Sequence, residues 1–320
     1  MAYQAILVPS PQKPHAVTLM SGVDQSRTPK RGFVLLGLLS LLWGVNFPAM
    51  KLVLNEMSPW TFRAVCLSTA GLGLLLISLM SGQSISFPKQ NLKTVIGAAL
   101  FNITGWHLAA AYGISLMHSS RAVIIGYTMP VWASVLAVWF LNERLDARRV
   151  AGLLLGVAGL AFLLGPQITQ VGESPLGVVF MLVAAGCWAM GSVLIKRGPW
   201  YMPMSAVTGW MFLIGGIPIF AGALIQDRWV DVLHLSPRGM AALVFVILLP
   251  TLFCHWAYYK VVTLFPVTLA AIGTLAIPVV GIVTSALLLK ETLEWNEIVA
   301  MLLIVSALSL VLIHPGSRRS

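Results

Sequence analysis

Ten apolar stretches, each close to the ~20 residues that cross a bilayer as a helix, leave this chain little freedom to be anything but a membrane protein. They lie at 32–54, 59–81, 93–116, 120–141, 147–166, 175–196, 203–225, 238–261, 266–289 and 295–314. The connections between them are mostly shorter than ten residues, so no soluble catalytic domain has room to form. Only 9% of the 320 residues are charged, against roughly a quarter in soluble domains. The expected fold class is therefore all-α and integral to the membrane, a bundle of ten transmembrane helices. Residues 1–31 are polar, with Pro9, Pro11 and Pro14, and are expected to form a tail without a cleaved leader. Residues 315–320 form a second, shorter tail.

A formal charge of +10 invites a nucleic-acid partner, but the positions of the cations argue otherwise. Lys13, Arg27, Lys30, Arg31, Lys89, Lys93, Arg144, Arg148, Arg149, Lys196, Arg197, Lys260, Arg318 and Arg319 all fall on one side of a ten-span topology. Lys51, Arg63, Arg121, Arg228, Arg238 and Lys290 fall on the other. Basic residues in short loops are retained in the cytoplasm, so both termini are expected there, in a multi-pass protein of the inner membrane. No nucleic acid is needed to explain the charge. Cys66, Cys187 and Cys254 all lie within spans and suggest neither a disulfide framework nor a thiolate metal site.

The chain also repeats itself. A shift of 148 residues brings Leu116, Ala122, Ile124, Pro130, Val131, Val135, Leu141, Glu143 and Leu145 onto identical residues, nine in thirty positions without a gap. The weight rests on Pro130 with Pro278 and Glu143 with Glu291, because apolar identities arise by chance. A slightly smaller shift brings Trp43 and Lys51 onto Trp188 and Lys196, with the same separation of eight. Five spans per copy is an odd number, so the copies must enter the membrane in opposite orientations, as in many secondary transporters. At the 148 shift His107 also falls on His255, and the two are expected on either side of the midplane.

Leu42-Trp43-Gly44-Val45-Asn46-Phe47 with Lys51, Arg63, Cys187-Trp188-Ala189-Met190-Gly191-Ser192, and the segments Pro130 to Glu143 and Pro278 to Glu291 resemble the EamA domains of the drug/metabolite transporter superfamily. Two tandem units are implied, at 32–166 and 175–314. The resemblance further implies a central cavity lined mainly by helices 1, 3, 4, 6, 8 and 9, alternating access to its two sides, and outward movement of small organic solutes such as amino acids, metabolites or toxic compounds.

Gly44, Asn46 and Pro48 combine a flexible position, an amide and a missing backbone donor in helix 1. Either a solute-facing gate or a packing kink accounts for them, and Gly191 and Ser192 are weaker counterparts in helix 6. Trp43 and Trp188, deep in their spans, form either a wall on which a solute stacks or core packing. Tyr127 is placed on the same pathway. His107 and His255 bind solute or carry protons, or else are neutral and satisfied by a carbonyl or threonine. Thr251 and Tyr259 share the face of His255 at a spacing of four, and Thr104 precedes His107 by three.

No carboxylate lies inside a span, so proton coupling falls to the histidines, with exchange or facilitated diffusion as the alternative. Arg63, about one turn into helix 2, either snorkels to the outer interface or holds an anionic or zwitterionic group at the outer mouth. Lys51 and Lys196 are expected to snorkel. Glu143 and Glu291 are expected to cap the helices that come after them. Gly152 and Gly156 suit close helix packing, within the bundle or between subunits.

No phosphate-binding glycine loop, His-Glu-x-x-His or metal-ligand cluster occurs, and no cofactor or metal is expected. The partners are the lipid bilayer and a small-molecule solute. A membrane-embedded enzyme acting on lipid-linked substrates is the rival class, though it needs acid-base or metal groups clustered at one interface. A channel needs a polar ring at a constriction.

Overall fold

The computed structural model describes residues 30–87, 89–116, 125–164, 175–226, 234–289 and 295–312. Ten helical spans appear among them: α1 (Lys30–Leu54), α2 (Pro59–Met80), α3 (Leu92–Ala99, Leu100–Gly105 and Trp106–Leu116), α4 (Met129–Leu141) and α5 (Ala147–Leu164). The second set is α6 (Pro175–Arg197), α7 (Met204–Gln226), α8 (Pro237–Val246, Ile247–Phe253 and Cys254–Leu264), α9 (Val267–Gly273 and Ala276–Leu289) and α10 (Trp295–Leu312). Apart from the start of α4, at Met129 where 120 was expected, the ends that fall on described residues agree with the ten apolar stretches to within three residues. No strand occurs among the described residues.

Local chemistry explains several boundaries. Ser58 caps α2 by accepting from the Thr61 N–H, with Pro59 at the first helical position where its missing donor costs nothing. Ser236 and Pro237 start α8 in the same way. The α2 end turns through Gly82 at φ 69°, a conformation that favours glycine. In the middle of α3 and of α8 the chain widens into a π turn, Leu100–Gly105 and Ile247–Phe253. These turns fall at matching places under the 148-residue shift and redirect the C-terminal part of each helix.

The principal packing pairs include α2 with α7, α5 with α10, α3 with α6, α1 with α8, α4 with α6, and α1 with α9, and α3 also packs on α7 as α2 does on α8. Exchanging each helix for its counterpart five later carries each of these pairs onto itself or another of them, which is the pattern a twofold axis produces. Small residues let the backbones meet: a Cβ on Gly71 would lie 3.2 Å from the Gly209 carbonyl, and one on Gly209 3.0 Å from that of Gly71. Gly152 abuts Val311 and the Ala307 carbonyl, and Gly156 abuts Leu275, so the glycines of α5 serve packing within the bundle. Apolar side chains such as Leu72, Ile225 and Leu302 remain exposed on the outside, as a lipid-facing surface requires.

Carboxylates tie the ends. Glu143 accepts from the Val267 N–H at 2.7 Å and from the Thr268 hydroxyl at 3.0 Å. It thus holds the start of α9 rather than capping the adjacent α5, which is capped by Asp146 through the Arg149 N–H. Glu291 lies outside the described residues. Lys196, expected to snorkel, instead donates to the Thr263 and Phe265 carbonyls at the end of α8. The side chains of Lys51 and Pro48 are outside the described set.

Candidate solute site

A cavity enclosing about 830 Å³ of atom-free space, part of it open to solvent, lies between the two sets of helices. Trp43, Asn46 and Met50 reach it from α1, Arg63 from α2, and Trp106, His107 and Ala110 from α3. Gly126 and Tyr127 contribute from the segment just before α4 and Met129 from its start, Met181 and Trp188 from α6, Pro250, Thr251 and His255 from α8, and Ile277 from α9. The helices are those the family resemblance implied, with α2 added through a single side chain.

Most of the residues singled out in the sequence meet here: Trp43, Asn46, Arg63, His107, Tyr127, Trp188, Thr251 and His255. Ser192 and Tyr259 do not line the cavity. The Ser192 hydroxyl bonds the Trp188 carbonyl and the Tyr258 hydroxyl, and Tyr259, fully buried, donates to Asn102 Oδ1 at 2.5 Å. The amide of Asn102 donates in turn to the Trp188 carbonyl at 3.1 Å. These side chains form a polar layer behind the wall that fixes the α6 backbone beneath Trp188. Thr104 points away, donating to the Gly215 carbonyl. Trp106, Met50, Met129 and Met181 are wall residues that the sequence did not single out; adjacency to His107 was the one available signal for Trp106.

The rings of the two histidines stack with centroids 5.9 Å apart, and both are nearly fully buried. His255 Nδ1 bonds the Pro250 carbonyl at 3.1 Å, and the same carbonyl accepts from Trp43 Nε1 at 3.0 Å. By contrast, neither nitrogen of His107 has a partner among the described residues, and the same holds for His255 Nε2 and Asn46 Oδ1. Buried polar groups are normally hydrogen-bonded. With Trp188 Nε1, that makes five unmatched atoms on residues lining one cavity, and they mark where a visiting molecule or water has to bond.

The remaining wall is aromatic. Trp188 packs edge-on against Trp43 at 5.7 Å and Trp106 at 5.1 Å, and Trp43 lies 5.5 Å from the His255 ring. Arg63, half-buried, approaches Met50 Sδ at 4.0 Å and the Phe62 ring at 5.0 Å. It faces the cavity instead of snorkelling outward. It also borders a smaller crevice of about 370 Å³ bounded by Trp60, His107, Leu108, Tyr112 and Ile219.

The model of the EamA-like transporter family matches residues 30–165 and again 175–313. The chain belongs to that family. Among relatives of this EamA-like transporter, an uncharacterized transporter of Bacillus subtilis, YoaV, is 27% identical over 274 residues, covering 85% of this chain and 94% of its own. A protein of Escherichia coli named a probable amino-acid metabolite efflux pump is 25% identical over 283 residues, covering 86% and 92%. A crystal structure at 19% identity shares the fold, with a TM-score of 0.76 over 89% of this chain and 97% of that one. The protein is accordingly a multi-pass membrane transporter acting on a small molecule, and not the lipid-modifying enzyme that a polytopic basic chain also allowed.

Proposed function

We propose that this EamA-like protein is a secondary transporter that binds a small organic solute in the central cavity and releases it outward by alternating access. It would sit in the inner membrane with both termini in the cytoplasm, as the distribution of basic residues favours. The units at 32–166 and 175–314 are its two inverted repeats. The single observation that supports the solute site is the convergence of unmatched polar atoms and aromatic faces on one cavity at the seam between the repeats. Ligand sites of this kind are mostly apolar and carry a few placed polar groups. Trp43, Trp188 and Tyr127 supply faces; Asn46, His107, His255 and Thr251 supply bonds. Pro48 lies within helical α1, five residues after Trp43, and its missing N–H removes one of that helix's hydrogen bonds. Coupling to protons runs through the stacked histidines, whereas exchange needs neither to titrate.

Purified protein in liposomes is expected to catalyse saturable movement of its solute that is accelerated by solute on the far side. Ohmic ion current in place of counterflow would point to a channel and sink the proposal. His107→Ala is expected to reduce transport about tenfold, the value of one or two polar contacts. Glu143→Gln, at the far-off start of α9, is expected to reduce it much less; equal losses would remove His107 from the pathway.

A further inference from the structure

The cavity carries a charge that no described residue balances. Among the described residues Arg63 is the only permanently charged one that lines it, and no aspartate or glutamate does. The acidic groups described elsewhere in the bundle are committed to backbone: Glu56 to Ser236, Glu143 to the start of α9, Asp146 to the start of α5. The neighbours of Arg63 are a thioether and the Phe62 ring, neither of which carries charge. A guanidinium withdrawn from water without a counter-ion is costly, and its best complement is a planar carboxylate that accepts two parallel bonds.

Three other features narrow the class. His107 and His255 line the cavity and have ring nitrogens without a partner among the described residues, and one tautomer of each supplies a donor to an anion's oxygens. Trp43, Trp106 and Trp188 offer flat faces, while Met50, Met129 and Met181 offer polarizable, adaptable ones. An ammonium group would find the Asn46 Oδ1, one nitrogen of neutral His107 and the Thr251 and Tyr127 hydroxyls, none of them charged, and all under the repulsion of Arg63. A full cation meets that repulsion with no carboxylate among the described lining residues to offset it. A zwitterion meets it at its ammonium end.

We infer that the solute is a planar organic monoanion of the aromatic-carboxylate type, its carboxylate on Arg63 and its ring against the tryptophan wall. This rests on the cavity being the solute site, and it departs from the amino-acid class that the name of the Escherichia coli relative suggests. The anion selectivity belongs to α2, which contributes one side chain to the cavity.

Four probes with the same ring separate the charge types: indole-3-acetate, indole, tryptophan and tryptamine. With the full chain in detergent, thermal stabilisation and displacement of radiolabelled indole-3-acetate are expected to rank the anion first and the cation last. Arg63→Gln is expected to weaken indole-3-acetate about tenfold or more and leave indole within twofold, with partial recovery in Arg63→Lys. Tryptamine binding as tightly as indole-3-acetate overturns the proposal, as does an Arg63→Gln protein that binds indole-3-acetate normally. If either occurs while Trp188→Ala still weakens indole, anion selection fails and the cavity remains the solute site. Absence of binding by all four probes overturns the anion class. If Ala110→Cys then also resists a water-soluble maleimide, beyond the labelling of the native cysteines, the cavity as solute site falls with it.

Discussion

Helices α3 and α8 occupy equivalent places in the two repeats, yet they treat the cavity differently. Each bends through a π turn at the same register, and each ties itself across the seam to a helix carrying a pathway tryptophan. In α3 the tie is a side chain: Asn102 donates to the Trp188 carbonyl. In α8 the residue at the matching position is Pro250, which has no amide to offer, and the tie reverses, with Trp43 donating to the Pro250 carbonyl. That carbonyl also anchors His255, while His107 is left with both nitrogens unmatched. The scaffold has kept its geometry through duplication while the donors and acceptors changed sides. As a result, His255 is anchored to the framework through Nδ1, while neither nitrogen of His107 is bonded among the described residues.

The largest test of this contrast lies at the α3–α6 crossing. A Cβ on Gly191 would lie 2.4 Å from that of Asn102, so Gly191→Val is expected to force the helices apart and cost about 3 kcal/mol, the upper range for overpacking. Gly186→Val, with nothing within 4 Å of its Cβ, serves as the control in a melting experiment in detergent. Equal melting points for the two variants would mean that the Asn102 tie does not depend on that close approach.

A smaller effect separates the histidines. His255→Ala is expected to lose about 1 kcal/mol of stability because it removes a buried bond to the Pro250 carbonyl. His107→Ala, which breaks no bond among the described residues, is expected to lower transport with a smaller change in melting temperature. If instead His107→Ala melts lower than His255→Ala, the division between framework and free histidine is wrong.

The smallest effect concerns how the two helices begin. The Ser236 hydroxyl and N–H both donate to Glu56 at the start of α8, and these bonds hold the Glu56 carboxyl below its ordinary value. A lowered value means that the stabilisation is complete above the usual carboxylate range and is lost as pH falls through the shifted value. The start of α3 relies on Asn91 donating to the Pro199 carbonyl, which does not titrate. Acidification is therefore expected to raise hydrogen exchange at the start of α8 but not of α3. Glu56→Gln should abolish the difference.

Much of this was legible in the residues. Span positions follow from the thickness of the bilayer, and the symmetry follows from Pro130 and Glu143 recurring at one spacing. Helical periodicity placed Thr251 and Tyr259 on the face of His255, but periodicity gives a face and not a depth. Tyr259 lies one turn beyond the cavity, closed over by Asn102 from another helix. Arg63 and Glu143 were ambiguous for a related reason: a charged side chain near a helix end has several partners within reach, and only packing decides among them. Neither π turn has a clear sequence signal apart from Pro250, so the stacking of His107 on His255 could not be read in advance.

The glycine contacts between α2 and α7 and between α5 and α10 have a consequence for assembly at the ribosome. The helices of the first repeat barely touch one another among the described residues; their main neighbours are translated later. Until α10 is inserted, α5 lacks its companion, and the early spans must wait in lipid or in the care of the insertion machinery. A gene divided between residues 164 and 175 should thus yield two polypeptides that are degraded when made singly and rescue each other when made together.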